Sequence, residues 1–447
     1  MDFRSFIDGI DNPFAEPAGD IRTHAEELPP QVEIAIDKNG RPRQAGADLP
    51  EGKFIVELRE RAEQNLFVFT KGILNRSYLS PTLHTEVARW AQRREIVRTE
   101  AELTTAALQG KPLQRVNPAY RKLLLLPRNH AKTSIISHGL PCHLLIQPKE
   151  NNIYLPGRAG VDTRIMLAGE TERRAANNLS VIQAAFEGNR LLRALWPQCC
   201  WENPRKEAPK WNKIEIVLPR TLDYPDPTIQ AIGVGGAITG ARHDVHIKDD
   251  LVSFEAANSV VVMETAIAWH LASRALLDND NSLEFIIGTR WAVHDLYDVI
   301  INGGIVDGEK FDKDPTVDVV VRSIVEDGKV IYPEKFAVQT TPGKISVTSL
   351  MKEHGTMFPL LYMNSAADPS LVDFDMDEVR GFAFKDGEIV FDEDERDVVI
   401  SERANATHNV KPDTQNLRGM PLNKDTHDIV FARQSMMMRP QRGVKSA

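Results

Sequence analysis

The 447 residues are too many for one compact core, and 42% hydrophobic with 26% charged residues is the composition of an ordinary folded chain. A formal net charge of −9 argues against non-specific wrapping of nucleic acid but leaves room for a local basic channel. Cys142, Cys199 and Cys200 give neither a disulfide framework nor metal-ligand spacing, and no apolar run approaches a membrane span, so the chain reads as a protein of a reducing cytoplasm with no membrane partner.

In chain order, residues 1–57 are rich in Pro, Gly, Asp and Glu and read as an extended acidic arm; the opening MDFRSFIDGIDNPFAEP is too acidic and too broken by proline for a signal peptide. NLFVFTKGIL and TLHTEVARWAQRR carry the three- and four-residue spacing of helices. LLLLP is a short continuous apolar run stopped by Pro127, which predicts a buried strand, and KTSIISHGLPCHLLI predicts the helix after it. TRIMLAGET, KIEIVL, TIQAIGVGG, DVHIKDDL and SLEFIIGTRW predict further strands. ERRAANNLSVIQAAFEGNRLLRALW, AANSVVVMETAIAWHLASRALL and HDLYDVII predict helices between or after them. This alternation, from about 120 to 305, predicts an α/β domain with a mostly parallel sheet flanked by helices, placed at 58–355. Beyond Pro333 the pattern weakens; FKDGEIVFDEDERD reads as an acidic hairpin and MMMRPQRGVKSA as a basic frayed end.

Ligands of open α/β sheets bind at the carboxyl ends of the strands, and three such ends carry polar groups suited to a nucleoside triphosphate with magnesium. PRNHAKTS (Pro127, Arg128, Asn129, His130, Ala131, Lys132, Thr133, Ser134) ends in the Lys-Thr of a phosphate loop, with Lys132 for the phosphates and Thr133 for Mg²⁺. Leu126 and Ala131 stand where that loop has glycine; Pro127 and Ala131 are expected to take over its backbone role, with Arg128 in reach of the γ-phosphate. DVHIKDDL ends in two acids, Asp249 for the metal and Asp250 for the attacking water, although His246 and Lys248 make it less apolar than such strands usually are. FIIGTRW offers Thr289 as a phosphate sensor, supported by Arg290 and Asp295. Each tip alone is equally an ordinary strand-to-helix turn; order and spacing together match ATPases whose catalytic acid sits on an added strand.

These residues resemble the large terminase subunit of tailed double-stranded DNA bacteriophages. PRNHAKT resembles the family's deviant Walker A, ITGARHDVHIKDD its approach to Walker B, and IIGTRWAVHDLYDVI its coupling motif, over roughly residues 65–364. The resemblance implies a P-loop ATPase using ATP and Mg²⁺, with Arg128 acting in cis on the γ-phosphate, Asp249 on the metal and Asp250 as catalytic acid residue. It also implies Thr289 in coupling and Arg242 near the place of an arginine finger for a neighbouring subunit; Glu170 and Thr171 would line the site. It further implies double-stranded DNA, a portal protein and a small terminase subunit as partners, a ring typically of five subunits, and transient docking on a procapsid in the host cytoplasm. The departure is at 356–447, a linker and an incomplete RNase H-like nuclease region, where DVVISERANATHNV lacks the early carboxylate of a two-metal site. Nuclease activity is therefore doubtful. A helicase-like ATPase and a non-hydrolysing assembly protein remain the rival readings.

Overall fold

The computed structural model describes residues 50–108, 114–236, 240–279, 281–306 and 309–365, together with the backbone of a hairpin at 382–385 and 388–391. The chain forms two compact units, 1–366 and 367–447. Of the extended arm expected over 1–57, residues 1–49 lie outside the described residues, and 50–57 are instead the start of a helix, Pro50–Gln64; DVVISERANATHNV and the basic C-terminal stretch also lie outside the described residues. The hairpin of the second unit, Phe382–Lys385 against Glu388–Phe391, falls where FKDGEIVF predicts one.

The first unit is built on a seven-stranded sheet. Its strands are β1 (Arg121–Leu125), β2 (Ile165–Gly169), β3 (Glu215–Ile216), β4 (Ile229–Gly233), β5 (Val245–Asp249), β6 (Leu283–Gly288) and β7 (Val317–Val321). The spatial order is β7-β1-β6-β5-β2-β4-β3, parallel throughout except for β3 at the edge. Side chains alternate across each strand. Leu124 and Leu126 of the leucine run therefore enter one core with Ile165, Ile247 and Ile287, while Leu123 and Leu125 enter another with Met166 and Ile286. Burial on both faces is why these strands read as continuous apolar runs.

Helices α1 (Pro50–Gln64), α2 (Leu83–Gln92), α3 (Leu140–Leu145) and α4 (Glu172–Gly188) feed the first core; α5 (Val260–Ser273) and α6 (Leu296–Asn302) feed the second, and α7 (Val347–His354) follows the sheet. Before α3 the chain makes a wider π turn over Ser134–Gly139. Pro141 lacks the N–H that would bond back into this turn.

Two features depart from the expected pattern. Edge strand β7 and the small hairpin Gly303–Val306/Glu309–Asp312 extend the ordered region beyond the predicted alternation. The second is Lys248 of β5, whose polarity is explained by its partners, whereas both ring nitrogens of buried His246 are without a hydrogen-bond partner among the described residues. Lys248, with no exposed surface, meets Glu284 at 2.6 Å and Ser273 Oγ at 2.8 Å on the α5 side of the sheet. Burial disfavours the lysine's charge and lowers its pKa, whereas the Lys248 ammonium helps hold Glu284 far below the usual carboxylate range despite its burial.

Register aligns the strand tips: Leu125 pairs with Gly288, Asp249 with Ile287, and Gly169 with Asp249. Everything that leaves β1, β2, β5 and β6 at its carboxyl end therefore emerges at one edge. At Gly288 an added Cβ would fall 2.1 Å from the Tyr297 ring, so only glycine lets α6 pack there.

Candidate nucleotide and magnesium site

The turn from β1 into the helix is left-handed at two places, Asn129 (φ 64°) and Ala131 (φ 55°). Ala131 thus adopts a conformation that glycine takes freely and an L residue adopts at a cost of roughly 1–2 kcal/mol. Asn129, a residue tolerant of that region, carries the second such position. This corrects the expectation for Pro127: it is buried at the strand's exit, and Asn129 rather than Pro127 shares the backbone role with Ala131.

The loop is clamped from outside. His130 is buried, stacks on Phe336 with centroids 4.6 Å apart, and bonds Arg128 O through Nδ1 at 2.9 Å. Its own carbonyl accepts from His84 Nε2 at 3.0 Å, and Asn129 O accepts from Lys335 Nζ at 2.9 Å. Burial lowers the His130 pKa to about 4, so it is a neutral anchor of the loop at physiological pH. Ser134 Oγ pairs with Tyr78 Oη at 2.8 Å.

Lys132 closes the centre of the site. Its ammonium donates to Thr289 Oγ1 at 2.8 Å and lies 3.3 Å from Asp250 Oδ1. Thr289, 2% exposed, also reaches Leu126 O at 3.4 Å. The tips of β1, β5 and β6 thus meet at one nitrogen. Asp250 sits just past β5 with φ 46°, its N–H donating to Ile287 O at 2.9 Å. That left-handed turn carries Asp250 out of the strand's alternation, so two successive carboxylates serve one cleft.

Asp249 accepts from Ser137 Oγ at 2.7 Å, Thr133 Oγ1 at 3.3 Å and Asn178 Nδ2 at 3.3 Å. Burial, followed by the neighbouring Asp250 charge, raises its pKa to about 6. A buried carboxylate of reduced acidity beside a threonine hydroxyl is a donor pair that a hard divalent cation fits. Among the described residues no group of three His, Cys, Asp or Glu forms a metal cluster.

The flanking residues divide. Arg128 is exposed at the mouth, its guanidinium 4.5 Å from the Trp291 ring centre and its N–H on Leu361 O at 3.0 Å. Arg290 is bound to Asp295 at 3.0 Å and to Val293 O at 2.7 Å, and Asp295 caps α6, so this pair shapes the turn rather than facing a ligand. Glu170 pairs with Ser253 and Arg174, and Thr171 caps α4. Arg242 is not brought to this site: it precedes β5, at the opposite end from Asp249, and donates to Ala275 O at 2.8 Å. A cleft of about 770 Å³ runs from the loop and Asp250 to Ile345, Leu350, His354 and Tyr362, a volume within the usual range for small-molecule sites.

Ser137 and Asn178 did not emerge from the sequence. Ser137 could have: it lies four residues after Thr133, on the same helical face. Asn178 comes from α4, and only tertiary packing brings it to Asp249.

Among the solved structures that match the chain are three of phage large terminases. The chain is similar to the large terminase ATPase domain of Thermus phage P74-26, at 14% identity and TM-score 0.35 over 61% of this chain and 100% of that one. An arginine-to-alanine variant of the same domain matches at 14% and 0.33, over 60% and 98%. The large terminase of bacteriophage HK97 matches at 17% and 0.34, over 55% of this chain and 47% of that one. No protein-family profile matches the chain, and no curated protein does.

Proposed function

We propose that the chain is a magnesium-dependent ATP hydrolase that drives double-stranded DNA into a phage procapsid. It would act in the host cytoplasm as one subunit of a ring on a portal, with a small terminase subunit selecting the DNA. The observation that carries the reading is the single ammonium of Lys132 bonded to Thr289 and set against Asp250, which ties the phosphate loop, the acid strand and the strand between them to one point.

In this reading Lys132 turns from its two internal partners to the phosphates of ATP and balances their charge. Asp250, released from the lysine, orients a water molecule and takes its proton. Thr289 loses Lys132 as donor at the same moment, which passes the event to the turn at Arg290 and Asp295. Thr133 and Asp249 would hold Mg²⁺, which supplies positive charge to phosphate oxygens when bound. Arg128, free to leave Trp291, adds charge in cis. Arg242, remote from its own cleft, would serve a neighbouring subunit. Residues 58–355 are the proposed motor, with helix α1 beginning ahead of that boundary at Pro50.

The test is ATP turnover with and without double-stranded DNA, comparing wild type with Lys132→Ala. DNA-stimulated turnover that falls by about 10²-fold or more in the variant supports the reading; undiminished turnover in Lys132→Ala sinks it.

A further inference from the structure

Behind the phosphate loop, a second cavity of about 520 Å³ opens between the helix that follows Lys132 and α4. Leu74, Cys142, Val181 and Ala185 give it an apolar wall, and Arg76, His138 and Asn189 give it nitrogen-bearing side chains, of which Asn189 is already bonded to Ile73 O at 2.7 Å. Arg76 makes no ion pair among the described residues, and its Nε is buried without a hydrogen-bond partner. An unpaired buried guanidinium N–H is costly. Its planar fork matches a carboxylate, which accepts two parallel bonds from it.

The cavity is also wired to the metal acid. His138 Nε2 lies 3.1 Å from Asn178 Oδ1, and Asn178 Nδ2 donates to Asp249 Oδ2 at 3.3 Å. Because the Asn178 oxygen can only accept, Nε2 carries the histidine's proton. Asn178 therefore holds one amide end toward the cavity wall and the other on the carboxylate proposed for magnesium.

We propose that this cavity binds a small carboxylate carried on an apolar body, anchored by Arg76, and that its occupancy is linked through His138 and Asn178 to nucleotide affinity. The linkage rests on the ATPase reading of Asp249; the binding site does not. A ligand that shifts His138 shifts the Asn178 amide, and the coupling is reciprocal: nucleotide must alter carboxylate affinity by the factor by which the carboxylate alters nucleotide affinity.

The test uses the full chain with benzoate as probe and benzamide as its neutral counterpart, followed by ligand-observed NMR, and a fluorescent ADP analogue for the nucleotide site. Wild type and Lys132→Ala should both bind benzoate saturably. Benzamide binding, and benzoate binding to Arg76→Gln, should be weaker by about tenfold or more. Ala184→Trp, at an exposed position lining the cavity, should block benzoate by filling the space while the Arg76 side chain is retained. Saturating benzoate should change ADP-analogue affinity by about fivefold in wild type and leave it unchanged in Asn178→Ala. Equal binding of benzamide, or wild-type benzoate affinity in both Arg76→Gln and Ala184→Trp, overturns the site. Loss of benzoate binding in Lys132→Ala overturns it too, because the probe would then lie in the nucleotide cleft. Intact benzoate binding with no ADP binding at all would retain the site and reject the ATPase reading.

Discussion

Replacing Ser137 with alanine isolates one contact of the acid that the proposed metal site depends on. Ser137 Oγ is the closest of the three donors on Asp249, at 2.7 Å against 3.3 Å for Thr133 and Asn178, and it is fully buried. A hydrogen bond to a charged group contributes about 1.5–3 kcal/mol, which is roughly 10- to 100-fold in an equilibrium constant. Loss of partners that orient a metal ligand weakens metal binding over the same range. Ser137→Ala should therefore raise the Mg²⁺ concentration for half-maximal binding of a fluorescent ATP analogue by about 10-fold or more. Affinity for the analogue without magnesium should change little, because Lys132 and the loop N–H groups are untouched. The assay is a Mg²⁺ titration at fixed analogue concentration, with thermal unfolding recorded in parallel. An unchanged Mg²⁺ midpoint in a variant that remains folded would refute the reasoning, since the strongest bond to the acid would then play no part in metal binding.

Asp250→Asn should keep nucleotide binding and abolish turnover, because asparagine tolerates the φ of 46° at that position but cannot take a proton from water; wild-type turnover would remove Asp250 from its role. Gly288→Ala should destabilise the first unit by about 1–3 kcal/mol through overpacking, since the new methyl would sit 2.1 Å from Tyr297, and denaturant unfolding would read the loss. Stability should also fall on acidification. Burial lowers His84, His130 and His143 to about 4, below the unfolded value near 6.5, so between those limits only the unfolded chain takes up their protons. Each histidine removes up to about 1.4 kcal/mol per pH unit in that window. Asp249, raised to about 6, works in the opposite direction and offsets part of one of them. Denaturation midpoints that are flat or rising from pH 7.5 to 5.5 would contradict this balance.

The central strands were legible because both their faces are buried, which writes them as unbroken apolar runs. Edge strand β7 was not: VDVVV is only half-covered, and its pairing with β1 is set by a partner almost two hundred residues earlier. The Lys-Thr pair and the double acid marked the cleft because each sits at the end of a buried strand, and register brings those ends to one edge. Lys248 looked anomalous only until its partner appeared, since Glu284 belongs to a different strand and Ser273 to a helix. Arg290 and Asp295 were legible as a pair, yet sequence could not tell that they satisfy each other. Arg242 failed for a geometric reason: it lies seven steps of mostly extended chain before Asp249, about 23 Å at roughly 3.3 Å per step.

The last described turn, Pro359–Met363 with Asn364, is stitched to both halves of the cleft. Leu361 O accepts the Arg128 N–H at 3.0 Å; Asn364 accepts the Arg290 N–H at 3.3 Å and donates to Arg322 O at 2.9 Å. Tension on this turn would be borne by these three bonds together with those from Ser323 Oγ to Met363 O and from the Ile324 N–H to Tyr362 O, both 2.8 Å. Two of the first three end on the loop after β1 and on the residue after Thr289, so a displacement of this turn strains the cleft directly. Force and chemistry would share one short tether.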